Sequence, residues 1–315
     1  MHCGNSVRGW MLIVIFAIMK PECLYKYLDI NGALSMILNK ELQFTNPIYF
    51  NDPFDCHPGL FDFQVPDGYS RGWMPKSFIQ EKAICDSTNE RRRVWICSLS
   101  KRHGSMLMWS YYANHKGVCI GLNKDKHTEY LTKSSLGLSI MANQEVDYRN
   151  VLEKPNGVCG APFMYQLCTK SSQWQHEQEI RHIILKPHPW VPYRMIRPTS
   201  KDELIPWTEV RFYPKLSAEC FDSIYLGARI SEYDKLRILK AIYMLLPGIK
   251  VFQMVPDHES LSFVEEPINV EICLAEHKES SCSKLKSKIK KCFPFRIKVS
   301  IEWNRPRTVR RHFRI

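Results

Sequence analysis

Long apolar runs are scarce in this chain. The most conspicuous, Trp10 to Met19 (WMLIVIFAIM), has ten residues, about half of the roughly 20 that a helix needs to span a bilayer. As a secretory leader it has only Arg8 as a basic residue ahead of it, and Lys20-Pro21-Glu22-Cys23 stands where small residues precede a cleavage site. Residues 1–19 are therefore read as an N-terminal extension ahead of a start at Met19, with a poor leader or a peripheral membrane contact as the alternatives. Paired cysteine motifs are missing too. The 12 cysteines stand singly, with no C-x-x-C, which suggests reduced thiols in a cytoplasmic protein, many packing as small apolar residues. No G-x-G-x-x-G follows a strand, and there is no G-x-x-x-x-G-K-[ST] and no G-x-S-x-G, so three common phosphate-binding and nucleophile motifs are excluded. His176-Glu177 is followed by His182, six residues after the first histidine instead of four, which breaks the zincin pattern; no metal site is predicted.

Charge is abundant, but one end holds the imbalance. Twelve of the 44 Lys and Arg lie between Lys284 and Ile315, against one acid, Glu302, leaving 32 basic and 31 acidic residues elsewhere. The body is thus nearly neutral. The basic tail is a candidate for nucleic acid or an anionic lipid surface, with Trp303 and Phe313 available for stacking.

Periodicity places strands at Glu22–Ile30, Leu42–Thr45, Val94–Leu99, Gly117–Leu122, Gln144–Tyr148, Ile180–Leu185, Val210–Tyr213, Phe221–Gly227, Lys250–Met254 and Leu261–Val264. Helices are expected at Ala33–Lys40, over a polar stretch ending at Arg93, at Ser105–Asn114, and at Glu232–Leu246 before Pro247-Gly248. Helices do not alternate with every strand, so the fold class is α+β: one domain over residues 20–270, with a mixed or antiparallel central sheet flanked by helices, followed by the tail 271–315.

Polar and aromatic residues cluster at three places. In Phe50 to Asp55 (FNDPFD), Pro53 biases Asp52 toward extended backbone, and Asn51 and Asp52 can bond the backbone two residues on. A rigid turn with Phe50 and Phe54 buried on either side is the simpler reading; the other has Asn51 or Asp55 lining a ligand pocket. Met108-Trp109-Ser110-Tyr111-Tyr112 suits a helix whose aromatics are core or a ligand-stacking surface. Lys170 to Arg181 (KSSQWQHEQEIR) runs into an apolar strand. If the chain is extended from Glu177, then Glu177, Glu179 and Arg181 share one face, as an acid, an orienter and a clamp, or as an ion-paired strand edge. Lys170 and Trp174 complete this cluster.

Six blocks recur in order in the bacterial DUF2971 family, a domain of unknown function that this chain resembles from about Leu24 to Val264: LYKYLDI, FTNPIYFNDPFDC, ICSLS, MLMWSYYANHKGVCIGL, KSSQWQHEQEIR and IYLGARIS. A more distant likeness is to ADP-ribosyltransferases, which carry an Arg or His on an early strand, a Ser-x-Ser strand end, and an acidic E-x-E or Q-x-E before another strand. Ser98-Leu99-Ser100 and Glu177-Gln178-Glu179 are similar to the last two, while the first strand offers Lys26 between Tyr25 and Tyr27. This second resemblance implies NAD as substrate, Glu179 stabilising positive charge on the ribose, Glu177 serving the acceptor, and Ser98 or Ser100 holding Glu179 or a ribose hydroxyl. Tyr25, Tyr27, Trp109 and Tyr112 would flank the nicotinamide, with Lys26, Asn51, Asp55, Lys170, Trp174 and Arg181 as further binding candidates. The acceptor is left open, and a non-catalytic binding or effector module is the alternative.

Overall fold

The computed structural model describes residues 22–133, 139–159, 163–185 and 210–278. The chain divides into two compact units, Met1–Val270 and Glu271–Ile315, and the sheet lies in the first. The predicted N-terminal extension and the basic residues 284–315 lie outside the described residues. Among the described residues, no helix is long and apolar enough to cross a membrane.

Asp29 sets the first strand–helix junction. It follows β1 (Cys23–Leu28) and accepts from the Gly32 amide at 2.6 Å, capping α1 (Ile30–Asn39). The helix therefore starts ahead of Gly32, earlier than the sequence placed it, because the cap satisfies a first-turn amide. Along β1, alternate side chains face opposite ways. Tyr27 packs edge-on against Trp109 of α3 (Met106–Ala113) at 5.3 Å between ring centroids, while Lys26 and Leu28 face the α1 side.

The sheet has two arms. In one, β1 is antiparallel to β4 (Val118–Asn123), which is antiparallel to β10 (Phe221–Leu226). The helix α6 (Glu232–Leu245) then carries the chain over to β11 (Lys250–Asp257), parallel to β10, and β12 (Ser262–Pro267) closes that edge. In the other arm, β3 (Val94–Ser100) is antiparallel to β8 (Glu179–Leu185), and β8 to β5 (Ser139–Glu145). On its other side β3 meets the short β2 (Phe44–Thr45), which is bordered by β9 (Arg211–Phe212). The arms join through one register pair, Tyr25↔Ser100. Beyond it β1 and β3 part, and the Lys26 ammonium spans the gap to the Ser98 carbonyl at 2.8 Å. The fold is α+β with one large mixed sheet, mostly antiparallel, as the sequence indicated.

Some elements differ from expectation. The strand expected at Gln144–Tyr148 is two, β5 and β6 (Asp147–Arg149), the latter pairing in parallel with β7 (Thr169–Ser171). The helix α2 (Lys76–Arg92) is the polar helix expected up to Arg93, whereas α4 (Lys124–Lys133) and α5 (Phe163–Cys168) have no counterpart among the expected helices, because their stretches are respectively highly polar and only six residues long. At FNDPFD the turn is real: Asp52 Oδ1 accepts from the Phe54 amide at 2.9 Å. Phe54, however, is 75% exposed, and only Phe50 packs inward.

Glycine is needed where β4 begins. A Cβ on Gly117 would lie 2.1 Å from the Leu28 carbonyl oxygen, which is backbone and cannot swing away. Gly117→Ala is expected to cost about 1–3 kcal/mol, read from its urea midpoint at unchanged slope.

The outer side of β8 carries a buried histidine pair. His182 Nδ1 accepts from the Asn143 amide at 2.9 Å, so its proton sits on Nε2 and is donated to His127 Nε2 at 2.7 Å. His127 then keeps a proton on Nδ1, donated to the Asn123 carbonyl at 2.6 Å. Burial lowers both pKa values, and the neighbouring His127 helps to bring His182 down to about 3. Between pH 6.5 and 3 the unfolded chain binds protons that the folded chain does not, so this contribution is complete above 6.5 and is lost as pH falls toward 3. Urea midpoints measured from about pH 7.5 to 4 should show the decline. An equal decline in the double variant His127→Gln, His182→Asn would assign it to carboxylates instead.

Candidate functional site

Where β1 and β3 part, a cavity of about 270 Å³ opens. Its walls come from β1 (Tyr25, Lys26, Tyr27), the end of β3 (Ser98, Ser100), the FNDPFD turn (Asn51, Asp55), α3 (Tyr112) and the Lys170–Glu179 segment. Segments far apart in sequence thus supply one concavity, the usual arrangement of a small-molecule site.

Its floor is a chain of buried charges. Arg181, fully buried, holds Asp55 with two parallel bonds, Nη2 to Oδ2 at 2.7 Å and Nη1 to Oδ1 at 2.9 Å. Its Nε also donates to Glu179 Oε1 at 2.8 Å, and Nη1 to the Leu167 carbonyl at 2.6 Å. The Lys170 ammonium lies 2.5 Å from Glu177 Oε2, 3.3 Å from Glu179 Oε2 and 3.7 Å from Asp55 Oδ2, with the Trp174 ring at 5.0 Å. Glu177 Oε1 accepts from the Tyr112 hydroxyl at 2.5 Å. Three carboxylates therefore face two cations.

The carboxylates differ in their proton affinity. Burial alone would raise the pKa of Glu179, but Arg181 and Lys170 outweigh it, with help from the Ser98 hydroxyl, and hold the group far below the usual range. Glu177 goes the other way: burial raises it, the neighbouring Glu179 adds to the rise, and Lys170 offsets only part. Burial would lower Lys170, yet Glu179, Glu177 and Asp55 together raise it. The cluster thus pairs a carboxylate of lowered proton affinity with one of raised proton affinity, a division that suits acid–base work.

Local structure sets Glu177 apart from Glu179. The condition that the chain is extended from Glu177 is not met: Glu177 ends a 3-10 turn, Ser172–Glu177, capped by Ser171. Gln178 has φ 44°, and β8 starts at Glu179. Glu179 and Arg181 do share a strand face; Glu177 reaches the same cavity from the turn. Ser98 bonds Glu179, whereas Ser100 donates to the Glu177 carbonyl at 2.7 Å and fixes the turn.

Tyr25, Lys26, Tyr27, Asn51, Asp55, Ser98, Ser100, Tyr112, Lys170, Glu177 and Glu179 all come together at the cavity. Trp109, Trp174 and Arg181 do not line it. Trp109 is core, its indole N–H donating to the His103 carbonyl at 2.7 Å; Trp174 sits behind Lys170, and Arg181 beneath the carboxylates. Sequence reasoning missed Gln43, Tyr49 and Arg211 in the wall and Tyr148, whose hydroxyl accepts from the Glu179 amide at 2.9 Å. Gln43, Tyr148 and Arg211 stand in no motif, and Tyr49 lies in the block FTNPIYFNDPFDC, where the polar residues after it drew the reading. Arg211 belongs to a strand of two residues, too short for any periodic signal.

Residues 108–182 match a family described as a protein of unknown function, DUF2971. The resemblance read from the sequence blocks holds over that span. The matched segment contains Tyr112, Lys170, Glu177 and Glu179 of the cavity wall, and Arg181 beneath them. Tyr25, Lys26, Asn51, Asp55, Ser98 and Ser100 precede it. No curated protein and no solved structure matches the chain.

Proposed function

We propose that the cavity is the active centre of an enzyme that breaks the nicotinamide–ribose bond of a NAD-type dinucleotide. The observation that supports it most is the meeting of Lys26, Ser98 and the Glu177/Glu179 pair around one cavity with tyrosines on its walls. In this reading the C1′–N bond breaks with its electron pair passing to the ring nitrogen, and nicotinamide leaves neutral. The fixed negative charge of Glu179 stabilises the cationic ribose. An acceptor hydroxyl or water attacks C1′ and gives its proton to Glu177, whose partners Lys170 and Tyr112 orient it. If the acceptor is a polyanion such as nucleic acid, the basic residues 284–315 add affinity for it.

Purified protein incubated with labelled NAD is expected to release nicotinamide, and Glu179→Gln to slow release by about 10²–10³-fold. No release from the wild type, together with no heat of NAD binding, would overturn the reading.

One observation favours a second reading. Both oxygens of Glu179 are already engaged by Arg181 and Lys170, as in a structural clamp. In a non-catalytic ligand-binding module, Glu179→Gln would lower the melting temperature while any ligand-linked rise in that temperature persisted.

A further inference from the structure

A second cavity, of about 310 Å³, shares two wall residues with the first, Lys26 and Gln43. Leu28, Asn31 and Ser35 of the β1–α1 corner bound it on one side, Glu41 and Tyr213 on the other. Neither cavity reaches far into the range of small-molecule sites, about 300–1,000 Å³. Each has room for one nucleoside-sized group rather than two.

The shared wall is cationic. Lys26 donates to the Ser98 carbonyl at 2.8 Å, and among the described residues no carboxylate is within ion-pair distance of its ammonium. The carboxylate of the second cavity, Glu41, is already neutralised by Lys215 at 2.6 Å. A lysine ammonium has three donors on a flexible stem, so Lys26 can keep Ser98 and still receive an anion. Gln43, beside it, adds an amide held by Thr45 at 3.2 Å and by the Tyr213 hydroxyl at 3.4 Å.

We propose that the two cavities are halves of one dinucleotide site, a nucleoside in each, with the bridging phosphates at Lys26 and Gln43. This rests on the reading of the first cavity as the place where the nicotinamide–ribose bond breaks. The second half takes the nucleoside that does not react. Its binding favours dinucleotides over mononucleotides without touching the bond that is cleaved.

Calorimetry on the full chain with NAD, nicotinamide mononucleotide and ADP tests the assignment. NAD should bind at least about tenfold more tightly than the mononucleotide, and ADP should bind on its own. Ser35 is exposed on the helix surface at the second cavity, so a tryptophan there can fill it without disturbing the core. Ser35→Trp should reduce the preference for NAD over the mononucleotide about tenfold and weaken ADP equally, and Lys26→Met should weaken NAD and ADP together. Equal affinity for NAD and the mononucleotide in the wild type, no binding of any of the three, or a preference unchanged in Ser35→Trp at wild-type melting temperature, would overturn the proposal. If the preference is present and lost in Ser35→Trp but nicotinamide is never released, the two-part site stands and the cleavage reading falls. Release from both substrates with equal efficiency gives the reverse.

Discussion

Arg181→Ala is expected to cost about 3–5 kcal/mol, a larger loss of stability than removal of any other single side chain from the charged floor of the cavity. The guanidinium is fully buried and makes the only two-pronged contact to Asp55 among the described residues, as well as two bonds to Glu179. Without it, Asp55, Glu177 and Glu179 share the single cation of Lys170, and a buried carboxylate left uncompensated is far costlier than the pair was favourable. Lysine is not a substitute: its point charge cannot serve Asp55 and Glu179 with parallel bonds. Arg181→Lys should therefore recover less than half of the loss. Urea denaturation at about pH 7 measures both, and a cost below about 1 kcal/mol for Arg181→Ala would mean that water already screens the cluster. The double variant Asp55→Asn, Arg181→Met should lose less than Arg181→Ala alone, because it removes an opposed pair together.

That pairing also marks the limit of what the sequence discloses. Asp55 and Arg181 are 126 residues apart, each in a cluster legible by itself, and no local pattern joins them. The sequence offers Asp55 as a pocket residue only as the alternative to a rigid turn, and without the partner that fixes it. The Asx turn at Asp52 was legible because Asn-Asp-Pro is a local signal, while exposed Phe54 shows that apolar character does not tell which of two flanking rings finds the core. At Gln178 a left-handed residue separates Glu177 from β8, and glutamine gives no hint of it; glycine or asparagine there would have. The parting of β1 and β3 after one register pair creates the cavity, yet it depends on β2 meeting β3 at Ile96, a contact between strands that neither sequence stretch announces. Strand existence was readable from alternation and residue type; sheet neighbours, which decide the site, were not.

For the proposed cleavage, the pH profile of nicotinamide release offers the sharpest view of Glu177. A base must be ionised to act, and burial has raised the Glu177 pKa above its ordinary value near 4.5. The acid limb of kcat/KM should therefore fall at a pH above that of an ordinary glutamate, about tenfold per unit below it. Glu177→Gln removes the limb and lowers the rate by about 10²–10⁴-fold. Glu179 is held ionised by Arg181 and Lys170 well below this range, so Glu179→Gln should lower the whole profile and leave no limb of its own. Tyr112 decides between the two carboxylates. Its hydroxyl donates to Glu177 and favours the ionised form, so Tyr112→Phe takes away a stabiliser of the carboxylate and raises the Glu177 pKa further. The acid limb should then move to higher pH, with the rate on the plateau less affected than the rate at about pH 5. A limb that stays in place in Tyr112→Phe but disappears in Glu179→Gln would reverse the roles, making Glu179 the titrating group and Glu177 its support.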